Sequence, residues 1–170
     1  GTYHALSKNI GSEEILNQDY EVAYRHLEPI IVTTLDWVQD TLNEREMSQE
    51  VADARELRGP KMAEMRDRID KLLLRYYDSN RELGLAPSQY GTISAFVINE
   101  ILGLGPIEAL WEDPRITEIM INSPSEVRVE IGGKIIFAKG AKFRDRAHLL
   151  DTINRILQPL NKSLDNSHTE

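Results

Sequence analysis

The 170-residue chain contains no cysteine. That excludes disulfides, thiolate metal sites and a cysteine nucleophile; it suits a reducing compartment without requiring one. No apolar run approaches the ~20 residues of a membrane-spanning helix, and no signal peptide opens the chain. The four histidines, His4, His26, His148 and His168, are scattered, and none has metal-ligand spacing such as His-x3-His with a carboxylate. No serine or threonine has the Gly-x-Ser-x-Gly setting of a hydrolase elbow. No Gly-x4-Gly-Lys-Ser/Thr phosphate loop occurs. The sequence therefore offers no catalytic residue, no cofactor site and no metal site.

Basic residues are also in deficit. Lys+Arg total 20 against 28 Asp+Glu, a net charge of −8. The imbalance is uneven: residues 1–103 hold 11 Lys+Arg and 18 Asp+Glu (−7), residues 104–170 hold 9 and 10 (−1). Phosphate neutralisation needs a basic face, so an acidic front half argues against nucleic acid as the main partner. The same charge argues against direct docking on anionic lipid. Gly1-Thr2 stands where an initiator methionine would, which suggests an excised piece or a tag remnant.

What is present is ordinary globular material, 41% hydrophobic and 28% charged. The length suffices for one good core or two small ones. Residues 1–11 read as a loose leader. From Leu16 an apolar stripe runs through Tyr20, Ala23, Leu27, Ile30, Leu35, Val38 and Leu42 at helical steps. Pro29 inside it predicts a kink or two abutting helices. Ser48 is the expected N-cap of a short segment ending at Gly59-Pro60. Met62, Met65, Ile69, Leu72, Leu73 and Tyr76 trace a second amphipathic helix, with Gly84 as its expected stop. A third helix is expected over residues 88–102, through Ile93, Phe96, Val97, Ile101 and Leu102. None of these stripes is buried by its own helix, so a small bundle is the simplest arrangement.

After Gly103 the period changes. Ile119-Met120-Ile121 reads as a strand covered on both faces. Val127, Val129 and Ile131 alternate with Glu126, Arg128 and Glu130, a half-exposed strand. Gly132-Gly133 suits a two-residue hairpin turn, with residues 134–139 as the returning strand. Asp145 then caps a helix through Leu149, Leu150, Ile153, Ile156 and Leu157, stopped before Pro159. The polar tail, residues 161–170, ends without a closing element. The expected fold class is α+β: a helical region over residues 1–103, then a small α/β domain over 104–170. That domain carries an antiparallel hairpin-containing sheet and a packed helix, and is incomplete at its C-terminal end.

Four motifs invite a functional reading. Gly103-Leu104-Gly105-Pro106 reads locally as a helix C-cap followed by proline at the next helix start; its functional reading is a fixed elbow between the two regions. Gly132-Gly133-Lys134 lies between strands, with no helix dipole to receive an anion, so it is a turn and not a phosphate site. Trp111-Glu112-Asp113-Pro114 reads as a helix end and turn, with Trp111 buried in the seam between halves or, alternatively, stacking on a ligand. Phe143-Arg144-Asp145-Arg146 reads as a cap with solvated arginines, or as a contact surface for a neighbouring subunit or nucleotide phosphates, since arginine offers a charged donor fork. Asn122 is expected to close a turn with Ser123 and Pro124.

The order of these words resembles the amino-terminal domain of the CpaF-like secretion ATPases that power Flp (tight-adherence) pili and related type II/IV secretion machines. The matching words are Gly103-Leu104-Gly105-Pro106, Glu112-Asp113-Pro114 and Thr117-Glu118-Ile119-Met120-Ile121-Asn122. A strand–Gly–strand hairpin at residues 126–137, Phe143-Arg144-Asp145, and Leu149-Leu150…Ile153-Asn154-Arg155-Ile156 follow in the family's order. The likeness covers about residues 88–166; residues 1–87 fit only loosely the variable helical region before this domain. Where family members commonly read Asp-Glu-Ser-Ser-Pro, this chain reads Asp165-Asn166-Ser167-His168-Thr169.

The resemblance implies a non-catalytic front domain that transmits ATP-driven motion to an inner-membrane platform protein. It also implies homo-hexameric neighbours, a cytoplasmic site peripheral to the membrane, and ATP and Mg in the full-length parent. The nucleotide-reaching arginines and the RecA-like domain of that family would lie past Glu170, so no catalytic residue carries over. Interface and hinge candidates are Gly103, Gly105, Pro106, Trp111, Phe143, Arg144 and Arg146. The competing expectation is a stand-alone helical adaptor that binds other proteins.

Overall fold

A computed structural model describes residues 12–168, with side chains for 26–158. The fold is α+β. Helix α1 (Ser12–Glu44) precedes α2 (Ser48–Leu57), α3 (Gly59–Ser79) and α4 (Pro87–Leu102). A short α5 (Glu108–Glu112), strands β1 (Ile116–Ser123), β2 (Glu126–Ile131) and β3 (Lys134–Phe137), and α6 (Arg146–His168) follow. The chain divides into a helical unit, His26–Gly105, and a second unit that includes Pro106–Glu170.

In the helical unit the apolar residues recur once per turn and build one core. Leu27, Ile31, Leu35, Val38 and Leu42 of α1 are buried, as are Met62, Met65, Ile69, Leu72 and Leu73 of α3 and Ile93, Val97 and Ile101 of α4. Helix α3 packs on both α2 and α4, and Trp37 of α1 meets Tyr76 of α3 with ring centroids 4.6 Å apart. Arg58 and Gly59, with φ of +53° and +50°, turn the chain between α2 and α3, and Pro60 starts α3 where its missing N–H costs nothing. Inside the core, Tyr77 stacks on Tyr90 at 4.6 Å and its hydroxyl lies 2.8 Å from Ser94 Oγ.

The second unit is organised around an antiparallel sheet of order β1-β2-β3. Its central strand alternates as the sequence predicts: Val127 and Val129 are fully buried, Arg128 faces outward over the Phe137 ring. Gly132 and Gly133 take φ of +56° and +78°, the left-handed pair that a two-residue turn needs, and Ile131 pairs with Lys134 across it.

Several expectations are corrected. Helix α1 is one helix through Pro29 and not two abutting ones. Proline removes one hydrogen bond at a cost of about 3 kcal/mol, and the buried stripe on both sides of it, Leu27 to Leu42, outweighs that. Ser48 is the first residue of α2, not its cap; its hydroxyl donates to Asn43 Oδ1 at 2.7 Å. Helix α3 stops at Ser79, and Gly84, at φ +68°, ends a separate turn of 3-10 helix, Arg81–Leu83. Ile119-Met120-Ile121 is not covered on both faces: β1 is an edge strand and all three residues are half-buried. Asn122 lies within β1, at a register shift opposite β2, while Pro124 and Ser125 form the turn. Helix α6 does not stop before Pro159 but continues to His168, because a single proline deletes one bond and leaves the flanking turns intact. The expected leader, residues 1–11, lies outside the described residues, as do the side chains of Leu16, Tyr20, Ala23 and residues 161–170.

Among the described residues, no single helix is long and apolar enough to cross a membrane.

Candidate functional site

The elbow is built from the last turn of α4. A helix leaves its final four carbonyls without helical donors. Here Arg55 of α2, 46 residues away, donates Nε–H to the Ile101 carbonyl, and Arg66 of α3 donates to Asn99 Oδ1 at 3.1 Å. Both arginines bring positive charge to the negative end of the α4 dipole. Gly103 closes the turn, its N–H donating to Asn99 O at 3.0 Å. Gly105 follows with φ +54°, and a Cβ there would meet Glu100 Oε1 at 2.7 Å and Cδ at 3.2 Å. The backbone angle favours glycine at position 105, and any side chain there would also push the Glu100 carboxylate aside. Pro106 begins the second unit. Within the helical unit, the end of α4 is thus a tied corner.

The second candidate is the start of α6. The segment leaving β3 is strapped to the sheet: Ala138 N–H donates to Val127 O at 2.8 Å, and Phe143 N–H to Pro124 O at 2.9 Å. Phe143 is thereby buried, edge-on to the His148 ring at 5.2 Å between centroids. Asp145 accepts the His148 amide on Oδ1 at 2.8 Å, as predicted for an N-cap. His148 returns the favour: its Nδ1 accepts the Arg144 amide at 3.1 Å, which places the neutral ring's proton on Nε2. This double tie holds Arg144 and Arg146 on either side of Asp145, both exposed. The structure therefore brings Phe143, Arg144 and Arg146 together in one turn, with Phe143 buried and both arginines exposed.

Trp111 is not buried: it is 49% exposed. A helix of five residues presents little more than one turn, and α5 spends its inward side on Glu108 and Leu110. Two residues beyond, Asp113 is buried and receives Arg115 in a fork: Nε to Oδ1 at 3.0 Å, Nη2 to Oδ2 at 2.7 Å, with the Arg115 amide also on Oδ1 at 2.9 Å. Paired charge-assisted bonds of this kind fix geometry strongly, so they set the angle between α5 and β1.

Sequence reasoning missed Arg55, Arg66, His148 and the Asp113–Arg115 fork. Only the fork had a local signal, an aspartate followed by proline and a cation. Helix α1 carries one further feature: Asp36, Asp40 and Glu44, at four-residue steps, are all exposed. Among the described residues no group of three or more His, Cys, Asp or Glu is arranged to hold a metal ion. No protein-family model matches the chain, and no curated protein matches it.

Proposed function

We propose that the chain is the amino-terminal, non-catalytic domain of a hexameric secretion or pilus-assembly ATPase of the Flp type. In this reading it works in the cytoplasm, held at the inner membrane by partner proteins. Nucleotide closure in the parent's ATPase domain rotates this domain, which moves the membrane-embedded platform protein. The observation that carries the reading is the succession over residues 88–166: apolar helix, Gly-Leu-Gly-Pro corner, short helix, Asp-Pro turn, strand, hairpin, capped helix.

The residues present do not fit ATP or Mg. Gly132 and Gly133 form a hairpin turn, the chain has no Gly-Lys-Ser/Thr cradle, and no step of hydrolysis is assigned to it. The test is phosphate release from Mg-ATP by this chain and by the full product of its gene. The reading expects turnover from the full product and none from the chain above a contamination control. Turnover by the chain itself, or none by the full product, would refute it. A second reading, a stand-alone helical interaction module, draws on one observation: the helical unit buries a core of its own.

A further inference from the structure

The two edges of the sheet are guarded unequally. A free strand edge offers unpaired N–H and C=O groups to another strand, and folds blunt it with short strands, lysine, proline or bulges. Strand β3 is blunted: it has four residues and begins at Lys134. Strand β1 is not: it runs eight residues with neither lysine nor proline, and its register shifts lie near its ends. Among the described residues its only strand partner is β2. The direction of its backbone groups follows from the ladder. Val127 O accepts from Ala138 N–H, so the backbone of Val127 faces β3. Neighbouring residues of a strand face opposite ways, so Arg128 faces β1 and bonds with its register partner Met120. Ile119 and Ile121 therefore turn their N–H and C=O groups away from β2, toward the open edge. Thr117, Glu118 and Asn122 beside them are exposed.

We propose that β1 pairs antiparallel with β1 of a second copy of this chain, about a two-fold axis at Met120. The strand complements itself: Glu118-Ile119-Met120-Ile121-Asn122 reads polar, apolar, apolar, apolar, polar from either end. An axis at Met120 sets Ile119 opposite Ile121 of the second copy. These are the residues whose backbone groups point outward, so they exchange N–H···O=C bonds, and symmetry makes each bond twice. Met120 meets Met120 of the second copy as the pair between those bonds. Glu118 lies opposite Asn122, so no like charges face each other. Moving the axis by one residue sets Met120 opposite Glu118 or Asn122, apolar against polar. The contact is far smaller than the ~1,200 Å² of a stable interface, so the dimer is weak. It uses no residue of the Phe143–Arg146 turn. It is two-fold, whereas the contacts of a ring run head to tail, so it does not rest on the secretion reading and survives that reading's failure.

The chain has no cysteine, so Met120→Cys in the whole chain reads the axis. Residues facing each other between bonded pairs have Cα atoms about 4.5 Å apart, a span that a disulfide closes. With a mild oxidant at about 1 mM protein, this variant should link into dimers at least about tenfold faster than Lys134→Cys on the other edge. Sedimentation equilibrium of the wild type at the same concentration should show a dimer. Met120→Lys and Met120→Glu, each alone, should weaken it about tenfold or more, because like charges directly opposite repel. An equimolar mixture of the two should associate again. Circular-dichroism melts check that each variant folds, and the cysteine variant carries the test if a charged one does not. A wild type that stays monomeric, as it would if this chain covered its own edge, overturns the proposal. So does Met120→Cys linking no faster than Lys134→Cys, or association that ignores both charges.

Discussion

Gly105→Ala tests the tied corner directly. At φ +54° an alanine is strained by about 1–2 kcal/mol. Its Cβ would also sit 2.7 Å from Glu100 Oε1, so the carboxylate must swing away. Glu100 is itself engaged, and disturbing that interaction adds about 1 kcal/mol. The total is about 2–3 kcal/mol. Gly84→Ala is the internal control: its φ is +68°, but nothing lies within 4 Å of the added carbon. It carries the strain alone, about 1 kcal/mol. For a unit of this size 1 kcal/mol moves the melting temperature by about 4–8 °C. Thermal melts followed by circular dichroism should therefore fall by about 5 °C for Gly84→Ala and by roughly twice that for Gly105→Ala. Adding Glu100→Ala should bring the cost of Gly105→Ala down to that of Gly84→Ala. Equal shifts for the two glycines, or no relief from Glu100→Ala, would show that the corner is not packed against Glu100.

Three further outcomes follow from the burial pattern. Val129→Asp places an unpaired carboxylate at a fully buried site of the central strand and should cost on the order of 3–5 kcal/mol. Ile119→Asp on the edge strand should cost far less, and equal losses in urea titration would contradict the strand order. Thr34 is fully buried with no partner for its hydroxyl. Thr34→Val should therefore raise stability by about 1 kcal/mol, and a loss would mean that the hydroxyl is satisfied. Burial pushes the Tyr77 hydroxyl up to about 12, against the opposing hydrogen bond from Ser94. A raised folded-state value means that this stability is intact below the unfolded value near pH 10 and is lost as pH climbs through 12, by about 3 kcal/mol. The urea midpoint of wild type should fall relative to that of Tyr77→Phe across that window; parallel curves would refute the assignment.

Much of the fold is legible because its signals are local. The Met62 to Tyr76 stripe, the Gly132-Gly133 turn and the Asp145 cap each lie within one or two turns of chain, and all three are realised. What fails is non-local. An apolar triplet such as Ile119-Met120-Ile121 does not say whether its strand is central or at an edge, since that depends on the order of strands. Pro29 looks like a breaker until the buried residues on both sides are counted. Trp111 has the composition of a buried residue, yet a one-turn helix leaves it half outside. At the elbow the glycines are readable, but Arg55 reaches Ile101 across 46 residues and no spacing announces it.

The central claim is that this chain is the front end of a motor. Sequencing the parent gene beyond the codon for Glu170 tests it most directly. The account predicts an open frame with a few more strands and then a Gly-x4-Gly-Lys-Ser/Thr loop at a strand-to-helix junction. A stop codon close to Glu170, or a continuation without that loop, would contradict it.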